Sequence, residues 1–217
     1  GDSLTGGYII KIDKMVGGNQ EGWTSDYPPL PNAWQRTFYQ YHYPKATDIT
    51  TQQRNYIQKF IADFEETMIS ENFADTLSGY RRFIDVQTFI DYILINEMCR
   101  NVDAYRISTF MSKDKDSVNP LMKAGPVWDF NLGFGNVDFC AGPEIEGWIL
   151  DYNKICPEDG YLIPFWWNRL LEDDGFGEQL ASRWRFLRER EWSDEQILRC
   201  ITDLNMEVQE AQVRNFQ

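Results

Sequence analysis

The sequence contains little of what several common classes of protein require. One histidine, His42, and four cysteines without a Cys-x-x-Cys pair argue against a zinc site, which needs about four closely spaced ligands of these types. No apolar run is long enough to cross a membrane. Basic residues are also scarce, because 21 lysines and arginines face 34 acidic residues and leave a net charge of −13. This charge argues against nonspecific binding to nucleic acid or anionic lipid.

The sequence does have enough apolar material for a substantial core. Of its 217 residues, 42% are apolar and 15% aromatic, so we expect a single domain or lobe over residues 1–217. The acidic residues form no block of like charge, which is typical of a solvated surface. Along the chain we distinguish an irregular region at 17–44, rich in Gly, Pro, Asn and Tyr, a loop insertion at 137–160 and a helical part at 161–217.

Apolar periodicity predicts a mainly helical α+β fold. A β-rich run at 7–13 follows a Gly-Gly turn signal and predicts a strand. Apolar residues recur with helical spacing after Thr50 and predict an amphipathic helix, which Thr50 or the nearby Asp48 would cap. A second helix at 86–100, capped by Asp85, is apolar enough to be the central buried helix.

The last third of the chain predicts three more helices. They lie over 163–171, between Phe176 and Leu187, and after a capping box formed by Ser193 and Gln196. We expect three of its tryptophans in the core: Trp166, Trp167 and Trp184.

A predicted hairpin joins two acidic motifs. Strands at 105–112 and 121–129 flank a polar turn at 113–120. Asp103 and Asp129 stand at the outer ends of this hairpin, and residues opposite each other in an antiparallel pair lie about 5 Å apart. The sequence therefore predicts a pair of carboxylates at one edge of the hairpin, one to accept a proton and one to hold a metal.

The four cysteines divide into two kinds. Cys99 and Cys200 lie in predicted helices and are expected to be small buried hydrophobic residues. Cys140 and Cys156 flank an irregular, Gly- and Pro-containing segment. A disulfide between them would contribute about 3 kcal/mol in an oxidising compartment, whereas in a reducing compartment they stay free thiols. The sequence leaves both possibilities open.

Five runs, in this order, resemble the CotH (spore coat protein H) kinase family. They cover roughly residues 7–135, and the ordered set is far more specific than any one of them. The runs are GYIIKID at 7–13, IDVQTFIDY at 84–92, INE at 95–97 leading into NVD at 101–103, TFMSKD at 109–114, and GPVWDFN at 125–131.

This resemblance implies the C-terminal lobe of an atypical protein kinase, which transfers phosphate from ATP to Ser or Thr of secreted or surface proteins. By motif alignment, Asp103 is the catalytic base. Asp129 is the residue that binds magnesium, with Asn131 as a possible neighbour. The catalytic-loop pattern has Asn five residues after the base, where this chain has Ser108. A hydroxyl is a weaker metal ligand than an amide oxygen, so this departure weakens the second metal position.

The resemblance also implies ATP and Mg²⁺ as cofactors, a secreted or cell-surface location, and a protein substrate there. No Gly-rich phosphate loop precedes the strand at 7–13. The early basic residues Lys11 and Lys14 are not assigned to ATP, so the nucleotide-binding residues stay undefined. We expect the nucleotide lobe to be absent from this stretch, which would then be inactive alone.

Two other functions stay open. The chain is a pseudokinase or a cell-surface binding module if Ser108 has abolished transfer and the aromatic residues at 34–43 contact a partner or glycan. Metal-dependent hydrolysis by the two carboxylates is the third hypothesis, and the sequence offers no ordered cluster of further ligands for it.

Each candidate residue also has a purely structural interpretation. In that interpretation Asp103 anchors the turn after its helix, and Asp129 forms a salt bridge with Arg106. Asn96 and Glu97 lie on a mostly apolar helix, so we expect them to form a buried polar network with the loop at 101–106.

Overall fold

The computed structural model describes residues 1–15, 21–140 and 142–215. Within them the chain forms an α+β fold with seven α-helices, a five-stranded antiparallel sheet and 44% helix. The strands are β1 (Tyr8–Ile12), β2 (Gly22–Thr24), β3 (Phe38–Tyr43), β4 (Thr109–Lys113) and β5 (Met122–Ala124). The helices are α1 (Asp2–Thr5), α2 (Thr51–Ile69), α3 (Val86–Cys99), α4 (Tyr152–Ile155), α5 (Phe165–Leu170), α6 (Asp174–Arg188) and α7 (Asp194–Asn215). The α+β prediction is confirmed.

The chain divides into two compact units, Gly1–Phe176 and Gly177–Gln217. The first unit contains the whole sheet, whose strand order is β2-β3-β1-β4-β5. The central strand β1 pairs antiparallel with β3 on one side and with β4 on the other. The sheet therefore joins the start of the chain to the predicted hairpin.

Part of the region predicted to be irregular, 17–44, belongs to this sheet. Both β2 and β3 arise from it, so the prediction is wrong there, while residues 17–20 lie outside the described residues. In β3 the buried Tyr39 and Tyr41 alternate with the half-buried Gln40 and His42. This period of two is the signal of a strand with one buried face, and the dense Gly and Pro on either side obscured it.

The hairpin is shorter than predicted. Its regular pairing ends where Met111 lies opposite Ala124, and the residues between Asp103 and β4 form turns and bends. The prediction that strand pairing extends to Asp103 and Asp129 is wrong. Pro126 has no N–H to donate to the ladder, which helps to end it on the β5 side.

One face of the sheet is buried and the other is open. On β1 the buried Tyr8 and Ile10 alternate with the half-buried Ile9 and Lys11. The buried face packs on α2, where the ring of Tyr8 stacks on that of Tyr56 with centroids 6.0 Å apart. We call the face that carries Ile9 and Lys11 the open face.

Helix α2 starts at a full capping box. Thr50 is its N-cap, and the Thr50 hydroxyl accepts from the backbone N–H of Gln53 at 3.3 Å. The side-chain oxygen of Gln53 in turn accepts from the backbone N–H of Thr50 at 3.0 Å. Thr50 is thus the cap, rather than Asp48, because this reciprocal pair satisfies two backbone donors.

A buried carboxylate joins α2 to the sheet and to the preceding loop. Glu65 is 3% exposed and accepts hydrogen bonds from the hydroxyls of Ser25 and Tyr39, at 2.9 and 2.8 Å. The Tyr39 oxygen accepts in turn from the indole N–H of Trp166 at 3.1 Å. Burial raises the pKa of Glu65 to about 7, although both hydroxyls favour the charged form.

Helix α3 is the central buried helix, as predicted. Its Phe89 and Tyr92 contact the ring of Trp167, with centroids 5.2 and 5.5 Å apart. Trp166 lies beside Trp167 at 4.6 Å, and both are fully buried. The helix ends at Cys99, and its C-cap Arg100 is in the left-handed region at φ 47°. The chain then turns into the segment that carries Asp103.

The second unit contains most of α6 and all of α7. The predicted capping box is half formed, because the Ser193 hydroxyl accepts from the backbone N–H of Gln196 at 3.4 Å. Two predictions of burial are wrong, since Trp184 is 38% exposed and Cys200 is exposed. No helix in the described part of the chain combines the length and apolarity needed to cross a bilayer.

Candidate active site

The first acidic motif lies in a tight turn between α3 and β4. The backbone oxygen of Asp103 accepts from the N–H of Ile107 at 3.0 Å, and the side-chain oxygen of Asn101 accepts from the N–H of Asp103 at 3.3 Å. Tyr105 and Ser108 both have positive φ, 70° and 50°. Such angles are costly for residues other than Gly, so the surrounding contacts must hold this turn in place.

Arg106 is the partner of Asp103. One guanidinium nitrogen, Nη2, donates to Asp103 Oδ1 at 3.0 Å, and the two side chains are 2% and 9% exposed. Nε donates to the carbonyl of Val102 at 2.9 Å, and Nη1 donates to Asp159 Oδ1 at 3.3 Å and to the carbonyl of Tyr161 at 3.2 Å. The structural alternative, a salt bridge between Arg106 and Asp129, is therefore wrong, because the carboxylates that Arg106 contacts are those of Asp103 and Asp159.

The loop around Asp159 completes this network. Asp159 accepts from the Tyr152 hydroxyl and from the backbone N–H of Tyr161, each at 2.7 Å, and the Tyr152 ring lies 4.0 Å from the Arg106 guanidinium. Burial, and then the hydrogen bond to Asp159, raise the pKa of Tyr152 above its ordinary value. Tyr152 therefore stays a neutral donor at physiological pH.

A disulfide closes the segment that contains Tyr152. Cys140 and Cys156 are bonded, with Cα atoms 6.1 Å apart, which decides the choice that the sequence left open. The Tyr152 hydroxyl oxygen lies 3.5 Å from Cys140 Sγ. The side chain of Tyr152 therefore contacts both the disulfide and the Arg106 guanidinium.

The polar residues of α3 form the predicted buried network. Asn101 donates to the side-chain oxygen of Asn96 at 3.2 Å. Glu97 accepts from the Tyr105 hydroxyl at 2.9 Å and from the backbone N–H groups of Ile149 and Leu150 at 2.7 and 3.1 Å. Burial raises the pKa of Glu97, and these donors oppose that rise. The network also reaches residues 149–150, which the sequence had not suggested.

The second acidic motif is exposed. Asp129 and Asn131 are both solvent-exposed, and Asp129 precedes a short 3₁₀ helix, Phe130–Leu132, at φ 59°. Ser108, by contrast, is 7% exposed and lies in the buried turn with Asp103. The structure therefore groups Asp129 with Asn131 on one segment and Ser108 with Asp103 on another. No cluster of three or more His, Cys, Asp or Glu suited to a metal occurs among the described residues.

Aromatic contacts connect the second motif to the open face. The ring of Trp128 meets that of Phe110 edge-on at 5.9 Å, and Phe110 also contacts His42 edge-on at 5.1 Å. Phe110 lies opposite Lys11 in the sheet, so both are on the open face. His42 is thus packed against an aromatic ring and lies on β3.

Positive charge gathers around His42. Partial burial lowers its pKa, and the nearby cations of Lys45 and Lys11 lower it further. Lys11 is itself 2.8 Å from Asp13. Although the chain has a net charge of −13, this part of the open face brings two lysines near the exposed ring of Trp128.

Sequence reasoning missed Asp159 and Tyr152, which hold Arg106. Their local sequence carries no motif. They are also far from Arg106 in the chain, since Asp159 follows it by 53 residues. The spacing of Arg106 three residues after Asp103 is a signal that was available, since such pairs meet within one turn.

The comparison with protein families matches residues 3–217 to the family described as CotH kinase protein. Neither the curated proteins nor the solved structures contain a match to this chain.

Proposed function

Since the chain belongs to the CotH kinase protein family, we propose that it transfers phosphate from ATP to Ser or Thr hydroxyls of secreted or cell-surface proteins. The observation that carries this proposal is the carboxylate of Asp103, which is held in a buried turn by a buried arginine. Phosphoryl transfer depends mainly on positioning and on neutralising charge. A carboxylate fixed in this way suits that chemistry.

Asp103 is the proposed acceptor of the hydroxyl proton. Its Oδ1 is used by Arg106, while its Oδ2 takes no hydrogen bond within the described ranges. The acceptor oxygen attacks the γ-phosphorus, the bond from that phosphorus to the bridging oxygen breaks, and ADP leaves with its electron pair. The hydroxyl proton passes to Asp103 Oδ2.

Asp129 and Asn131 suit a magnesium ion. Mg²⁺ prefers oxygen ligands and is usually held by one or two carboxylates together with phosphates and water, not by a cage of protein ligands. An exposed carboxylate with an exposed amide two residues further along the chain fits this preference. When bound, the ion neutralises the charge of the phosphates.

We further propose that the nucleotide lies on the open face. Trp128, which is 59% exposed and meets the ring of Phe110 edge-on, offers an aromatic surface for the base. Trp128 immediately precedes Asp129, which keeps this surface next to the proposed metal ligands.

The experiment compares Asp103→Asn, Asp129→Asn and the exposed control Asp203→Asn in the full-length protein. Transfer of labelled γ-phosphate to a Ser/Thr peptide library should fall about 100-fold in Asp103→Asn, while Mg·ATP still raises its melting temperature. Asp129→Asn should lose both transfer and the magnesium-dependent part of that rise. Equal transfer by the wild type and Asp103→Asn would show that Asp103 is not the acceptor of the hydroxyl proton.

A binding protein without transfer activity is the second candidate. Ser108 favours it, because this residue is buried in the turn and offers only a hydroxyl where the family pattern has an amide. In that case Mg·ATP or a surface partner binds the wild type, no phosphate is transferred, and Ser108→Asn restores measurable transfer.

A further inference from the structure

A cavity of about 310 Å³ opens beside the Asp103–Arg106 pair. Its walls come from the end of β1, from the segment before β3 and from the loop after Asp159. Twelve residues line it, among them Ile12, Met15, Trp34, Arg106, Gly160 and Leu162.

The walls of this cavity are held in place by hydrogen bonds. The Gln35 side-chain nitrogen donates to the carbonyls of Pro157 and Asp159 at 3.0 and 2.8 Å. This ties the segment before β3 to the loop that holds Arg106. On the opposite side, the backbone N–H of Met15 donates to the Tyr161 hydroxyl at 3.4 Å. The cavity is therefore preformed, which lowers the entropic cost of filling it.

The inside of the cavity is mainly apolar. Ile12 and Leu162 are buried in its wall, 4% exposed each. At the rim, Trp34 is 73% exposed and Met15 45% exposed, so two large apolar side chains stand in solvent. Arg106 uses four of its N–H groups on protein acceptors, and little of its donor capacity is left for a polar ligand. Exposed aromatic residues around a pocket are typical anchors of protein contacts.

The cavity also lies within reach of an acceptor segment. Arg106 lines it and donates to Asp103 Oδ1 at 3.0 Å. An extended chain advances about 3.3 Å per residue, so a peptide whose hydroxyl is at Asp103 can bring the side chain of a residue one or two positions away to the cavity.

We propose that this cavity binds one large apolar side chain, aromatic or branched aliphatic, of the acceptor protein, within about two residues of the phosphorylated Ser or Thr. The inference rests on the proposed function, because it takes Asp103 as the position of the acceptor hydroxyl. In this proposal the side chains of Trp34, Met15 and Leu162 determine which acceptor segments bind. The occupant is thus a protein segment and not the base of the nucleotide, which we place on the open face.

Two variants test the cavity without touching Asp103. Trp34→Ala removes the exposed rim. Gly160→Leu adds a side chain whose Cβ meets no atom within 4 Å, so it occupies space at the cavity without a backbone clash. Gly177→Leu is the matched control, since its Cβ also meets no atom within 4 Å and it lies outside the cavity lining.

The probes are short Ser peptides that carry 4-fluorophenylalanine two residues from the serine, and peptides with alanine there. Binding to the full-length protein is followed by fluorine NMR and by competition. We expect the aromatic peptide to bind at least about fivefold more tightly than the alanine peptide. Trp34→Ala and Gly160→Leu should remove this preference, and Gly177→Leu should keep it.

Three outcomes overturn the proposal: equal binding of both peptides, an aromatic preference that survives Gly160→Leu, or displacement of the peptide by adenosine alone. Phosphate transfer is measured separately on the same peptides. Aromatic-dependent binding without transfer supports the cavity and counts against the kinase activity, whereas transfer without any preference supports the activity and counts against the cavity.

Discussion

Arg106 is the residue on which the candidate site depends most. Its guanidinium contacts two carboxylates, two carbonyls and an aromatic ring, and it is almost completely buried. A buried ion pair adds little net stability compared with apolar residues, but removing one partner leaves a buried charge without compensation. Arg106 therefore fixes the orientation of Asp103 and makes the fold sensitive to its loss.

Arg106→Gln should lower the free energy of unfolding by about 3–5 kcal/mol, because Asp103 and Asp159 lose their shared cation. Urea unfolding of the variant measures this loss. The control is Arg199→Gln, which breaks an exposed ion pair with Glu195 and should cost less than about 1 kcal/mol. Equal losses in the two variants would contradict the prediction.

Glu65 makes stability depend on pH. Its pKa is raised from 4.5 to about 7 by burial, so between these values the folded protein keeps a proton that the unfolded chain has released. The free energy of unfolding therefore falls as pH rises through this window, by up to about 3 kcal/mol. Above pH 7 the difference stays constant, since both states are ionised.

Glu65→Gln should remove this part of the pH dependence, because the amide keeps the hydrogen-bonding shape without the charge. Urea unfolding at about pH 5 and about pH 8 is compared with the wild type and with Glu66→Gln, which changes the exposed neighbour on α2. Glu66→Gln should retain the wild-type decrease. If the free energy of unfolding of Glu65→Gln falls with pH as much as that of the wild type, other groups cause the pH dependence.

At the scale of elements, the segment from Cys140 to Tyr161 supports the turn at 101–108. It supplies the disulfide, Tyr152 and Asp159, and each of these contacts the next. The turn has little regular backbone pairing of its own. Its geometry therefore depends on this second segment, which is distant from it in the sequence.

Reduction of the Cys140–Cys156 disulfide should therefore have a local and a distant effect. The two cysteines are 16 residues apart in the sequence. Opening their disulfide should lower the free energy of unfolding by about 3 kcal/mol, because the unfolded chain gains conformational entropy. We also expect faster amide exchange at 101–108, measured by mass spectrometry with and without a dithiol reductant. Cys140→Ser should reproduce both effects and Cys200→Ser neither, and unchanged exchange at 101–108 would refute the distant effect.

At the scale of the whole molecule, the apolar core lies in the first unit. That unit contains the fully buried Trp166, Trp167, Tyr39 and Phe89, while α7 has no buried residue. Because burial of apolar surface supplies most of the stability of a fold, the first unit should not depend on α7.

A chain that ends at Glu191 should accordingly unfold cooperatively, within a few °C of the full chain, and keep its stabilisation by Mg·ATP if the wild type has it. Differential scanning calorimetry with and without Mg·ATP checks this expectation. Loss of a cooperative transition would show that α7 contributes stability that its exposure does not reveal.

Local rules were enough for much of the fold. The helical spacing after Thr50 and the apolar run at 86–100 identified α2 and α3, because one buried stripe leaves a periodic record in the sequence. The same rules failed for β3, whose alternation covers only six residues, and for the ends of the hairpin. Strand ends depend on partners and turns that lie elsewhere in the chain.

The sequence by itself determined the α+β class, the central buried helix, and the two acidic motifs that carry the family resemblance, since these follow from periodicity and from ordered runs of residues. Only the tertiary structure decided that Asp103 pairs with Arg106, that Asp159 and Tyr152 hold this pair, and that a cavity opens beside it. The reason is physical: contacts between buried polar groups are set by which distant segments meet in the core, and no local pattern records that meeting.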